Sequence, residues 1–401
     1  MNTEHHPFEP SGVAIKASPK KAVLVYAADS YVGFCQILYE YLILSGATVS
    51  ILEVSDGQSS TGLTDRQREK WGITIPPGAI TPLRSDKLVE TISALSADYL
   101  FLGVSGRAVF RICKALHQQK KIRKIPLIST GFPGLQFRLM MEGVILRCFV
   151  DRLLFTDPTL LRKSKNLLSF VPFRTAKCIL FGSPRLRVTR VYEMGRDRPY
   201  VVFFDQNVVP QGYDARLSLA GSILALADEF PNKTFLIVGR TISGELSYHS
   251  LEGDVSIEAL LAGRTRENVS SFSGNWTDIY ADIHLCFSVS STAILEAAAL
   301  GIPSYSILVE GDVDTRFSAQ AFFRNLGLQR TQAELAREIA EPSPGVSTSA
   351  ANKHMAPFNG ASLPLWFAPA EMERLPEAPI VVRNLLFRLS KLGDWMLSKI
   401  R

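Results

Sequence analysis

The sequence predicts two α/β domains, each a parallel sheet wound on both faces by helices. Three observations carry that reading. Short apolar runs alternate with helix-length stretches from residue 21 to residue 325, the alternation from which βαβ units are built. A polar stretch at 187–199, with Gly195 and Pro199, interrupts the alternation once and reads as a linker. The length of 401 residues exceeds the roughly 100–200 residues of a usual domain, and a composition 46% hydrophobic and 20% charged supplies two cores.

Residues 1–20, polar and carrying Pro7, Pro10 and Pro19, read as a disordered leader. Without an apolar core they do not make a signal peptide. The first domain is expected over 21–190. Residues 21–28 form a buried strand, Asp29-Ser30-Tyr31 a loop, 32–45 a helix ended by Gly46, and 48–54 the next strand. This βαβ unit lacks G-x-G-x-x-G, so a dinucleotide site is not expected there. A strand follows at 98–104, then a helix at 107–121 whose end is marked by Lys120, Lys121, Arg123 and Lys124. Another strand, 126–130, runs into Gly131-Phe132-Pro133-Gly134, read either as a turn or as an acceptor loop whose glycines permit close approach. Strands near 152–156 and 177–181 complete this domain.

The second domain is expected over 199–341. It opens with a strand at 200–205, followed by a helix at 214–229, a strand at 233–238 and a helix at 256–262. After the central stretch described next come a strand at 303–308 and a helix at 318–325. Residues 342–379, rich in Pro, Ser, Ala and Gly, read as irregular. Residues 380–401 form a basic amphipathic helix. Leu385, Leu389, Leu392 and Met396 share one face, Arg383, Arg388, Lys391, Lys399 and Arg401 lie largely off it, and Trp395 sits at the boundary. Such a helix suits the inner face of a membrane or packs back on a domain.

The stretch 282–303 organises the second domain. An apolar run breaks into Ser290-Ser291-Thr292, continues as a good helix former, and stops at Gly301-Ile302-Pro303. Strand, tight turn and helix follow from that order, and the hydroxyls fall at free backbone N–H groups able to receive a phosphate. An ordinary helix cap is the alternative. A reciprocal capping box would need an acid three residues after Ser291 or Thr292, where Ile294 and Leu295 stand. Glu296 is thereby left without a capping role in an apolar segment. It must reach solvent or accept hydrogen bonds, and ribose hydroxyls would donate them.

A net charge of +6 points to an anionic partner: nucleic acid, anionic lipid or a phosphorylated substrate. The most basic short run, 118–124, lacks interleaved aromatics, so no nucleic acid is expected. No run of apolar residues is long enough to span a bilayer. The five cysteines are dispersed without C-x-x-C, which predicts buried thiols in a reducing compartment.

The block 290–303 resembles the donor-binding motif of bacterial GT-B glycosyltransferases. Phe204-Asp205-Gln206, the stretch 237–245 with His249 after it, and Asp29-Ser30-Tyr31 fit a group of bacterial glycosyltransferases of that type. The resemblance covers most of 21–330, with only the Ser-Ser-Thr block specific. It implies two Rossmann-like domains facing across a cleft, acceptor on the first and nucleotide-sugar donor on the second. Ser290, Ser291 and Thr292 would bind phosphate and Glu296 the ribose. No metal or other cofactor is implied, and the sequence offers neither a D-x-D motif in a plausible loop nor a His/Asp ligand cluster. Enzymes using CMP-activated sugars carry His-Pro where this chain has Gly239-Arg240-Thr241, which leaves CMP, UDP and GDP open. Arg240 would supply cationic charge to the donor and His249 a hydrogen bond, each against an ordinary surface role. If the reaction inverts the anomeric centre, Asp29 is the candidate base, with an Asx turn or helix cap as the alternative. The expected function is metal-independent transfer of a sugar to an envelope, capsular or lipid-linked glycan, in the cytoplasm or at the inner membrane. A sugar-nucleotide epimerase and a non-catalytic nucleotide-binding protein are the alternatives.

Overall fold

The computed structural model describes residues 19–55, 63–118, 126–133, 141–170, 176–187, 198–239, 255–262, 264, 266–309, 319–343, 348–358, 360 and 363. The leader at 1–18, most of 342–379 and the whole amphipathic stretch 380–401 lie outside them. Two compact units account for the described chain. One holds the N-terminal residues, Ile73–Pro184 and the chain from Phe358. The other holds Leu63–Gly72 and Arg185–Pro357.

In the first unit, seven parallel strands form one sheet: β1 (Lys21–Tyr26), β2 (Thr48–Ser55), β3 (Ile80–Arg84), β4 (Tyr99–Gly103), β5 (Leu127–Phe132), β6 (Arg152–Phe155) and β7 (Lys177–Leu180), in the order β3-β2-β1-β4-β5-β6-β7. The helices α1 (Val32–Leu44), α3 (Leu88–Leu95), α4 (Gly106–Gln118), α5 (Met141–Ile145) and α6 (Pro158–Ser169) belong with it, while α2 (Asp65–Lys70) goes with the second unit. The middle strands are buried on both faces, which is why their sequences are continuously apolar rather than alternating. On one face Val23, Val25, Leu102, Ile128 and Leu153 pack beneath Val109, Ile112 and Leu160. On the other, Phe34 stacks on Phe181 at 4.6 Å and on Phe101 at 5.8 Å.

That stack also corrects one expectation. Gly131 and Phe132 are the last residues of β5, not a loop. A Cβ at Gly131 would come within 3.1 Å of the Phe34 ring, so the glycine makes room for core packing. Where the sequence pattern assigns nothing, between 55 and 97, the structure sets α2, β3 and α3. β3 is an edge strand with Pro82 in it, as strand prolines require, and too polar to stand out.

The second unit repeats the plan with β8 (Tyr200–Phe204), β9 (Thr234–Val238), β10 (Val269–Ser271), β11 (Ile283–Ser288), β12 (Ser304–Ile307) and β13 (Gln329–Arg330), all parallel, in the order β10-β9-β8-β11-β12-β13. Its helices are α2, α7 (Tyr213–Glu229), α8 (Ile257–Leu261), α9 (Ala293–Ala299), α10 (Gln320–Asn325), α11 (Gln332–Ala340) and α12 (Thr348–Asn352). As the sequence predicts, Gly301 ends the 293–300 turn of chain. It takes φ +87°, the left-handed geometry that stops a helix, and the chain enters β12 after Pro303. No described helix is long and apolar enough to cross a membrane.

Candidate functional site

A parallel sheet that winds outward in both directions leaves a crevice at the carboxyl ends of the two strands where the winding reverses, and ligands settle there. In the second unit those strands are β8 and β11. The residues just beyond them are Asp205-Gln206 and Val289-Ser290-Ser291-Thr292. The hydroxyl trio singled out in the sequence therefore stands at the switch point of its own sheet.

The turn is pinned by side chains, not by a cap. Ser288 Oγ donates to the Phe204 carbonyl at 2.6 Å, Ser306 Oγ to the Val289 carbonyl at 2.6 Å, and the Ser290 N–H to Gln206 Oε1 at 2.9 Å. Ser290 Oγ lies 3.3 Å from the same Gln206 oxygen. Ser291 Oγ accepts the Ala293 N–H at 3.2 Å, and Thr292 makes no side-chain cap. What remains open, among the described residues, are the Ser291 and Thr292 N–H groups and the Thr292 hydroxyl. A helix of 7 residues adds little macrodipole beyond such free N–H groups. These donors, rather than the helix as a whole, are what the turn offers to an anion.

Glu296 lies on the first turn of α9, its side chain only 9% exposed, with Arg185 Nη1 at 3.4 Å from Oε2. The Arg185 guanidinium, 17% exposed, stacks over the Trp71 ring at 3.7 Å. Trp71 follows α2, which begins with a Thr64/Gln67 capping box and whose Lys70 Nζ donates to the carbonyl of Gly239, just past β9. The acid thus accepts from a guanidinium inside the protein rather than reaching solvent. At 3.4 Å the contact is long beside the roughly 2.7–2.9 Å of a strong charge-assisted bond, so a better donor can compete for the carboxylate.

Behind the site sits a buried ion pair. Arg216 Nη2 meets both Asp205 oxygens, at 2.9 and 3.1 Å, with the side chains 1% and 4% exposed. Asp205 also accepts the N–H groups of Gln206 (2.8 Å) and Ile257 (3.0 Å), and Arg216 Nη1 donates to the Gln206 carbonyl at 2.8 Å. Burial pushes the Asp205 carboxyl up from its ordinary range, against the opposing pull of Arg216. The pair fixes the backbone of Gln206, which in turn holds Ser290. Arg185, Trp71 and Arg216 are absent from the sequence reading. An arginine inside a helix as apolar as α7 was the available signal for the last.

In the first unit, Asp29 opens a short 3-10 turn, Asp29–Tyr31, between β1 and α1. It is 0% exposed, and its Oδ1 accepts the Ser30 N–H at 2.8 Å. This bond reaches only the next residue, one short of the Asx turn named above, and no side chain caps the turn. Arg240 and His249 lie outside the described residues. Among the described residues no group of three or more His, Cys, Asp or Glu side chains could hold a metal ion.

The family described as "Putative glycosyltransferase (DUF6716)" matches residues 22–345. The chain belongs to this family. No curated protein matches the sequence. Among solved structures, the MnaA–UDP co-structure from S. aureus shares 9% identity at TM-score 0.56, over 86% of this chain and 94% of that one. UDP-GlcNAc 2-epimerase from Neisseria meningitidis bound to UDP-GlcNAc shares 14% identity at TM-score 0.52, over 86% and 97%. LpCGTa in complex with UDP shares 12% identity at TM-score 0.50, over 84% and 93%. At such identities the likeness establishes the fold: two Rossmann-like, parallel-sheet domains of GT-B type. In this family member, then, the Ser290–Glu296 segment falls at the switch point of the second such domain.

Proposed function

We propose that this protein is a glycosyltransferase that moves a sugar from a nucleotide-activated donor to a glycan acceptor. The observation that carries the reading is the pinned turn at the β8/β11 switch point, where unpaired N–H groups and a hydroxyl stand one helical turn from the acid Glu296. Phosphate would take the Ser291 and Thr292 donors, and the ribose hydroxyls would displace the long Arg185 contact from Glu296. Arg185, exchanged from Glu296 in that step, supplies the positive charge that a leaving phosphate needs when no metal is used. The family description supports transfer. The similar structures that carry UDP or UDP-GlcNAc in their names support UDP among the candidate nucleotides.

In the reaction the acceptor oxygen bonds to the anomeric carbon as that carbon's bond to the phosphate oxygen breaks. The nucleotide leaves with the electron pair, and the acceptor proton passes to a base. Asp29 is assigned that base and the first unit the acceptor, a free or lipid-linked glycan. Full burial of Asp29 sets the condition its role must meet: the turn after β1 has to admit the acceptor hydroxyl. Likeness to UDP-GlcNAc 2-epimerases favours a second reading, in which the sugar is isomerised without an acceptor.

Thermal stabilisation by a panel of UDP, GDP and CMP tests the donor site, since a ligand that binds only the folded state raises stability by mass action. Glu296→Ala should weaken the responding nucleotide about tenfold or more, the worth of hydrogen bonds to a charged group, read as the ligand-induced shift relative to the variant's own unliganded melting curve. Equal affinity in wild type and variant would remove the ribose assignment. Incubation with the nucleotide sugar alone then separates the two reactions: epimer formed without acceptor favours the isomerase.

A further inference from the structure

We propose that the first unit carries an oxyanion site of its own, formed by Arg147 and the first turn of α4, which takes a phosphate or carboxylate group. Assigning that group to the acceptor rests on the glycosyl-transfer reading; the anion site itself does not.

Arg147 follows α5 and is 8% exposed. Its Nη1 donates to the Gly143 carbonyl at 3.0 Å, and its Nη2 to the Tyr31 hydroxyl at 3.3 Å, with the Val104 carbonyl 3.5 Å away. The guanidinium lies 4.8 Å from the centre of the Phe132 ring. Every one of these partners is neutral, and the buried Nε–H has no acceptor. Among the described residues no carboxylate reaches ion-pair distance of Arg147. Glu142, on α5, turns instead to Arg107 at 3.3 Å, and Asp29 accepts the Ser30 N–H.

The other buried guanidinium described above shows what a structural arginine looks like in this chain. Arg216 is clamped to Asp205 through both carboxylate oxygens. Taking a charge out of water is unfavourable unless an opposite charge meets it, and among the described residues Arg147 has none. A bound anion would supply that counter-charge.

A second, independent feature lies beside it. α4 is 13 residues long and starts at Gly106. Ser105 Oγ accepts the Ala108 N–H at 3.3 Å, while the N–H groups of Gly106 and Arg107 have no acceptor among the described residues. Such an N-terminus favours an anion. A Cβ on Gly106 would stand 2.6 Å from Arg147 Nη1, so the glycine is what lets the guanidinium lie against the start of the helix. The place is again a switch point, between β1 and β4, with Tyr31 beyond the first strand and Val104-Ser105 beyond the second. A planar guanidinium and helix N–H groups together match the oxygens of a carboxylate or phosphate.

The test titrates the full chain with inorganic phosphate, with D-glucuronate, and with D-glucose as the uncharged control, reading the melting temperature with and without saturating UDP. Wild type should be stabilised saturably by phosphate, which assigns a phosphate group, or by glucuronate, which assigns a carboxylate. Arg147→Met and Gly106→Ala should each weaken that response about tenfold or more, whereas Glu296→Gln should weaken only UDP. Should Arg147→Met fail to fold, Gly106→Ala decides, because its added methyl meets only the far end of a flexible side chain and Leu146 Cβ. No response above glucose in wild type, or wild-type responses in both variants, overturns the site. UDP binding lost with the anion response intact would sink the donor reading and leave this one standing.

Discussion

Replacing Arg216 by Met tests whether the second unit's switch point is held by its buried ion pair. The change takes both guanidinium contacts, at 2.9 and 3.1 Å, from Asp205 and leaves it the Gln206 and Ile257 N–H groups. It also strips donors from the Gln206 and Val255 carbonyls. Removing one partner of a buried pair costs about 3–5 kcal/mol. In a unit of this size, about 2–4 °C per kcal/mol puts the fall in melting temperature at roughly 6–20 °C. Calorimetry on the full chain should show that fall in the transition of the second unit. The sign of its pH dependence follows from Asp205. Burial already raises this carboxyl in the folded protein, and loss of the guanidinium raises it further, so the folded state holds a proton that the unfolded chain releases. Stability then declines as pH rises above the ordinary aspartate range, and the variant should lose more at about pH 8 than at about pH 5. The double variant Asp205→Leu, Arg216→Met should recover much of the loss, since an apolar replacement of both charges is often close to neutral. A single variant melting within about 2 °C of wild type, or a double variant worse than the sum of its singles, would refute the keystone role.

Asp29→Asn should retain nucleotide binding and lose transfer, read as product formed per enzyme with the responding donor; near-normal turnover removes Asp29 as the base. Glu338 carries a pH effect of the opposite sign. Burial alone would raise it, but hydrogen bonds from Ser343, Tyr305 and Arg330 outweigh that and hold it at about 2, from an ordinary 4.5. Its contribution, up to about 3 kcal/mol, is fully present above the unfolded value and lost as pH falls through the folded one. Glu338→Gln should therefore flatten the stability curve between about pH 5 and about pH 2; an unchanged acid limb in urea titrations would contradict the assignment.

The sequence by itself determined the two-sheet plan, the strand–turn–helix around Ser290-Ser291-Thr292 and the stop at Gly301, because each is written in contiguous residues. Apolar runs declare buried parallel strands, and a glycine before proline declares the end of a helix. It also placed Asp29 beyond the first strand and Glu296 on the helix that follows the hydroxyl turn. Only the tertiary structure decided what those acids face. Arg185 reaches Glu296 across 111 positions of chain, Trp71 comes from a segment counted in the first domain by its place in the sequence, and Asp29 proves fully buried. Arg216 and Arg147 look alike as letters, each a single arginine near an apolar stretch. Among the described residues one finds a carboxylate and the other finds none, and that difference arises from chain folding distant groups together. Burial and charge pairing are properties of three-dimensional neighbourhoods, so a local pattern such as an arginine within the apolar α7 marks a residue without naming its partner.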